Sequence, residues 1–268
     1  MSRIAKKHKN DKTRISIMPN KKSPAKKSYV WLDELSTVEA QKAATAGTVI
    51  ILPIGSVEEH GDHLPLGTDS IQPEYIATEV AKKTGALIAP PIRYGICNAA
   101  RNFPGTISIE FDTLHHFARD ILSELARNGF NKVIVLSGHA GQSHMVALRL
   151  AAQDIIIKND ENKANVRIMV LSDYDFVDDL KGKYAQEKDG HAGTIETSRI
   201  MSIKPELIKG KGKPNQPNWP RFEVVAHPEN YFPGGVHGDP TSATAKTGNE
   251  VNNYIIEQVT KLVNELKL

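Results

Sequence analysis

One cysteine, Cys97, in 268 residues leaves no partner for an internal disulfide and rules out a cysteine-rich zinc module. That usage suits a reducing compartment. No apolar run approaches the roughly 18 residues that cross a bilayer; the best, Val49 to Ile54 and Val133 to Leu136, are strand-sized. The N-terminus has no apolar block of the secretory kind, so the expected location is cytoplasmic and no membrane contact is expected. Gly-x-Ser-x-Gly is missing, which leaves a serine hydrolase without its nucleophile elbow. The glycine fingerprint of dinucleotide binding and the Walker phosphate loop are missing too.

What is present is an ordinary globular balance, 40% hydrophobic and 24% charged, with an uneven distribution of charge. Residues 1–28 hold ten Lys or Arg and one acid, about +9, against +3 for the whole chain, so residues 29–268 carry about −6. The expectation is a disordered basic tail over 1–28, able to touch nucleic acid, ahead of one domain over 29–268.

From about residue 45, strand and helix patterns alternate. Thr48–Ile54, Ala86–Pro90, Val133–Ser137 and Val166–Leu171 read as short buried strands. Between and after them, helical spacing runs from about Ser70 to Thr84, from a cap at Asp112 to Gly129, from Gln142 to Lys158, from Thr194 to Ser202 and over the C-terminus. This order predicts an α/β fold with a mainly parallel sheet between helices. In such sheets ligands bind outside the carboxyl ends of the strands. The segments rich in chemistry, Glu58–Asp69, Arg93–Glu110, Gly138–His144 and Asp173–Glu196, all follow strands. Lys209 to Pro240, rich in Gly, Pro, Asn and Lys, is too long for a routine connection and reads as a cover or a mobile loop.

Glu58 and His60 are two apart, so an extended chain points both side chains the same way. Asp69 follows after a turn at Pro65 and Gly67 and can return to the same centre, even bridging two metals. The competing reading makes Asp69 a helix cap and Glu58 and His60 a surface pair. His139, in Gly138-His139-Ala140-Gly141, is a further candidate ligand, or else part of a tight turn or a phosphate cradle. His191 and Glu196, five apart around a helix start, can shuttle a proton and ligate a second metal, or serve capping with Thr194 and Thr197. Arg93, Asn98 and Ser108 are read as substrate contacts because they lie on the loop after the second strand. His63 is read as supporting the ligands, His115, His116 and His144 as solvated or packing residues, and His237 as having no evident partner.

These motifs resemble the creatininase family over about residues 30–265. The resemblance rests on Gly-Ser-Val-Glu-Glu-His-Gly-Asp-His-Leu-Pro-Leu-Gly-Thr-Asp at 55–69 and Phe-Pro-Gly-Thr-Ile-Ser at 103–108. It continues with Ser-Gly-His-Ala-Gly at 137–141, His-Ala-Gly-Thr-Ile-Glu-Thr-Ser at 191–198 and Gly-Val-His-Gly-Asp-Pro at 235–240. It implies a three-layer α/β/α sandwich, homo-oligomers that are commonly hexamers, and two divalent metal ions, Zn, Mn or Fe. It also implies hydrolysis of a small amide's non-peptide C–N bond. By that likeness Glu58 and His139 hold one metal, His60 and Glu196 the other, Asp69 bridges them, and His191 transfers a proton. Creatininase has a glutamate two residues after the Gly-His histidine, where this chain has Gly141, and a tryptophan where this chain has Glu187. Creatinine is therefore disfavoured, and a formamide or small cyclic amide is expected. The alternative is a non-catalytic metal- or ligand-binding protein, tethered to nucleic acid by its basic tail.

Overall fold

The computed structural model describes residues 30–161 and 165–268; the basic tail expected over 1–28 lies outside them. Five strands appear in the order β1 (Val30–Trp31), β2 (Ile50–Ile54), β3 (Leu87–Ile88), β4 (Lys132–Ser137) and β5 (Arg167–Ser172). Six α-helices accompany them: α1 (Thr37–Thr45), α2 (Thr68–Thr84), α3 (Phe111–Arg127), α4 (Gln142–Glu161), α5 (Thr194–Ile203) and α6 (Ala245–Lys267).

Every strand pairs in parallel, in the spatial order β1-β3-β2-β4-β5. The centre is pinned by Ile50 opposite Val133 and Ile54 opposite Ser137. Because side chains alternate across a strand, two apolar faces arise from one run of sequence. Ile50, Leu52, Ile54, Val133 and Val135 face Leu114, Ala118 and Leu122 of α3 and Leu148 and Ala151 of α4. Ile51, Ile134 and Leu136 face Ile76 and Val80 of α2 and Val251, Ile255 and Val259 of α6. Each such Ile or Leu taken out of water contributes roughly 1.5–3 kcal/mol, and both faces must be covered to collect it. The result is the parallel sheet between helices that the alternation predicted, in the three-layer α/β/α sandwich that the resemblance implied.

The chain moves from β2 to β3 on one side, then crosses back to place β4 on the other side of β2. Neighbouring connections leave the sheet on opposite sides there, which opens a crevice beyond the carboxyl ends of β2 and β4. The segments after those two strands carry Glu58, His60 and His139.

Three local expectations need correction. The N-cap of α3 is Glu110, with no side-chain capping bond, and Asp112 sits inside the first turn, where a carboxylate favours the positive helix end. The second strand candidate shrinks to Leu87–Ile88. The stretch before residue 45 contains α1, started by a capping box in which Ser36 and Glu39 satisfy each other's backbone N–H groups. Among the described residues no helix is long and apolar enough to cross a membrane.

Candidate metal centre

Asp69 lies in the first turn of α2, whose N-cap is Gly67, so its carboxylate is not consumed in capping. It stands instead between two imidazoles. Its Oδ1 is 3.0 Å from His60 Nε2 and its Oδ2 is 3.1 Å from His139 Nδ1. Ser56 Oγ donates to the same Oδ2. The same His60 nitrogen has Glu196 Oε2 at 3.6 Å, and the same His139 nitrogen has Glu58 Oε2 at 3.1 Å. The side chains thus sort into two halves, Glu58 with His139 and His60 with Glu196, sharing Asp69. Ligand atoms of His60, Asp69 and Glu196 lie within 4.8 Å of one another, as do those of Glu58, His60 and His191.

The outward nitrogens of both rings fix the ring orientation. His60 Nδ1 donates to the Glu58 carbonyl at 3.0 Å, and His139 Nε2 donates to the Ile96 carbonyl at 2.9 Å. A carbonyl can only accept, so those nitrogens carry the protons, and in the neutral ring the inward nitrogen is a lone pair. His191 Nε2 likewise donates to the Glu59 carbonyl at 2.6 Å, leaving Nδ1 as the basic atom, and its ring stacks on His60 with centroids 4.1 Å apart.

Burial opposes a charge on His60, yet Asp69 and Glu196 raise its pKa well above the ordinary histidine range. Burial also opposes a charge on His139, and Glu58 and Asp69 raise it well above that range. Against burial, His60 pulls Asp69 well below the usual carboxylate range and brings Glu196 to about 2. His191 goes the other way, lowered by burial and by the neighbouring His60. Three carboxylates thus outnumber the two imidazoles whose protonation they favour, and the remaining negative charge attracts cations, beside a third imidazole held neutral.

Glu196 is oriented from two directions. Gln72 Nε2 donates to its Oε1 at 3.2 Å, and the Ala192 N–H to its Oε2 at 2.6 Å. Gln72 was not singled out in the sequence, although it follows Asp69 by three residues on a helix and so shares its face. Glu59 and Cys97 were also passed over. Glu59 is buried, accepts from the Gly61 N–H and is covered by Gly235. Cys97 is buried beside Glu58 and His139, with its thiol pushed up to about 12 by burial and then by Glu58.

The centre opens into a cavity of about 670 Å³. Pro217, Trp219, Phe232 and His237 of the late stretch form one wall, so that stretch is a cover. It is tied down beside His191: the His237 N–H donates to the His191 carbonyl at 2.7 Å, and the Gly190 N–H to the His237 carbonyl at 2.8 Å. Phe232 stands edge-on to His191 at 5.5 Å and Trp219 packs on Phe232 at 5.5 Å. A larger depression of about 890 Å³ near α1 and α3 contains none of the clustered imidazoles.

The three expected substrate contacts are not brought to this cavity. Arg93 grips Glu74 with paired bonds of 2.8 and 2.7 Å and opens onto a different groove, because its buried neighbour Ile92 faces inward. Ser108 Oγ accepts from the Cys97 N–H at 2.9 Å, which makes it an anchor of the loop. Asn98 is exposed and donates to Ser143 Oγ at 3.3 Å, beside the lining residue Ala99. His63 supports the α5 side by pairing its Nε2 with Thr197 Oγ1 at 2.9 Å. His144 is a packing residue, buried against His139 and lowered to about 3 by burial, while His115 pairs with Asp154 at 3.1 Å.

A family profile described as creatininase, creatinine amidohydrolase, matches residues 33–263. Creatinine amidohydrolase of Pseudomonas putida is 30% identical over 219 residues, covering 76% of this chain and 79% of that protein. A mycofactocin precursor peptide peptidase of Mycolicibacterium smegmatis is 28% identical, covering 81% of this chain and 85% of its own. Among solved structures, a creatinine amidohydrolase superposes with a TM-score of 0.81 at 23% identity, over 90% of this chain and 98% of that one. Other creatininase structures include a manganese form and a mutant of zinc–zinc type.

Proposed function

The chain belongs to the creatininase family, hydrolases acting on C–N bonds, and we propose that it cleaves a non-peptide C–N bond in a small, uncharged amide, formamide or cyclic amide. The observation that carries this reading is Asp69, set between two imidazoles that each face a second carboxylate.

Three carboxylates, none more than 3% exposed, face two imidazoles, and Glu58 Oε2 has only the His139 ring beside it. Burying that much like charge costs several kcal/mol per group unless cations enter or the two imidazoles hold extra protons. Mixed oxygen and nitrogen donors suit Zn²⁺ or Mn²⁺. Glu58 and His139 would hold one ion, His60 and Glu196 the other, with Asp69 common to both. Such ions supply Lewis acidity, polarising the amide carbonyl and lowering the pKa of water from about 15.7 toward 7.

The chain's own residues supply the rest. His191, held by its Nε2–H and kept neutral by burial and His60, accepts the proton of the attacking water at Nδ1. It then returns that proton to the departing nitrogen, which would otherwise leave as a poor anion. Phe232 and Trp219 keep bulk water from the reacting atoms. Among the described lining residues none is Lys or Arg, so a substrate carboxylate would lack a partner. Ala140 and Gly141 offer no acid beside His139, which favours a formamide or lactam over creatinine.

The test combines metal analysis with a screen of small amides, formamides and lactams, before and after chelation. Expected are about two bound ions per chain, turnover lost on chelation, and both lost in Asp69→Asn. Full metal occupancy in Asp69→Asn, or turnover indifferent to chelation, would overturn the reading.

A further inference from the structure

We infer that Cys97 is a sulfur donor to the Glu58–His139 half of the centre and biases that half toward zinc over manganese; this rests on the metal reading above. The Cys97 Sγ, a Glu58 carboxylate oxygen and a His139 ring nitrogen lie within 4.8 Å of one another. All three residues are buried, at 1%, 3% and 8% exposure. Independently of the thiol, the buried Glu58 Oε2 has only His139 Nδ1 beside it, at 3.1 Å, and a neutral His139 that donates from Nε2 has no proton there to give.

Position is imposed on the cysteine from both sides. Its own N–H donates to Ser108 Oγ at 2.9 Å, and the preceding carbonyl, Ile96, accepts from His139 Nε2 at 2.9 Å. The loop bearing the thiol is thus fastened to the ring of a proposed ligand, so sulfur and imidazole move together. Around a tetrahedral zinc, with bonds of roughly 2.0–2.3 Å, donors stand roughly 3–4 Å apart, the scale on which these three residues already cluster.

The two halves then differ in kind. His60, Glu196 and Asp69 offer nitrogen and oxygen, a set that tolerates manganese. Glu58, His139, Asp69 and Cys97 offer sulfur as well, which selects a softer ion. On coordination the thiol releases its proton to water in the open cavity and binds as thiolate.

The test loads wild type, Cys97→Ser and Cys97→Ala with cobalt(II), recording absorption, and measures zinc and manganese affinity by calorimetry. Expected is a near-ultraviolet sulfur-to-cobalt charge-transfer band in wild type, absent from both variants while their visible cobalt bands remain. Zinc affinity at this half should fall by at least about tenfold, with manganese affinity nearly unchanged. Wild type that binds cobalt without the charge-transfer band overturns the inference and leaves the metal reading standing. So does an unaltered preference for zinc in the variants. Wild type that takes up no cobalt, zinc or manganese overturns both. Should the variants fail to fold, the wild-type spectrum alone decides.

Discussion

Glu59 sits between two proposed ligands in sequence, yet its carboxylate has a different environment: the Gly61 N–H donates to it, Gly235 covers it, and Oε2 has no hydrogen-bond partner. Burial raises its pKa to about 7 from the ordinary 4.5, with the Gly61 N–H opposing. A carboxyl whose folded pKa lies above its unfolded value contributes stability that is complete below 4.5 and lost as pH rises through about 7. At about 1.4 kcal/mol per pKa unit, the loss is about 3 kcal/mol. Glu59→Gln removes the titration. In chelated protein, wild type should therefore lose about 3 kcal/mol more unfolding free energy than Glu59→Gln between pH 4.5 and 8. Parallel pH profiles for the two proteins, measured by urea unfolding, would refute this. At the same scale, Glu58, His60, Asp69, His139, His191 and Glu196 were legible because short motifs and strand-end positions carry them. Gln72 and Cys97 were not, since their roles arise only when α2 meets α5 and when the 96–108 loop folds against His139. Arg93 misled because a basic residue on a crevice loop looks available until its partner Glu74, nineteen residues away on α2, is seen.

Helices α5 and α6 cross at Gly248, where a Cβ would overlap the backbone carbonyl of Ser198. That carbonyl belongs to the helix bearing Glu196, so the crossing sets how far one proposed ligand stands from the others. Alanine is the better helix former by about 1 kcal/mol, but forcing a methyl against backbone costs roughly 1–3 kcal/mol or more. The clash should win: Gly248→Ala is expected to lose about 2 kcal/mol of stability, whereas Asn249→Ala, on the exposed side, should be neutral or slightly stabilising. Equal denaturation midpoints for the two variants would show that the crossing yields freely. Elements were legible in proportion to burial. β2 and β4 are almost wholly buried and read as apolar runs. Helix α1 buries no residue completely, so its periodicity is faint, and its one local signal, the Ser36–Glu39 box, was passed over. The cover from Lys209 to Pro240 has no periodicity to read, because its order comes from tertiary bonds such as Asn218 N–H to the Tyr231 carbonyl at 2.9 Å.

Across the whole molecule, the sheet and its two helical layers bring to one point carboxylates from β2's loop, α2 and α5, where, among the described residues, imidazoles and a few neutral donors, but no Lys or Arg ion pair, meet them. A second buried pair lies nearby, Arg199 to Asp173 at 2.6 Å, whose guanidinium is engaged first by Asp173 and only more weakly by Glu196. The unfolded chain separates these groups over more than a hundred residues and relieves the repulsion, so cations that bind only the folded form shift the equilibrium toward it. A ligand at a thousandfold excess over its Kd stabilises by about 4 kcal/mol. Zinc or manganese should therefore raise the melting temperature of chelated protein progressively with concentration, and Asp69→Asn should abolish the response. Magnesium, which prefers oxygen ligands and retains its water, should have much less effect. A melting temperature identical in chelator and in saturating zinc would mean that the buried charge is balanced by protons alone, the two imidazoles serving as imidazoliums, and the centre would then be an ion-pair network that holds its helices in place.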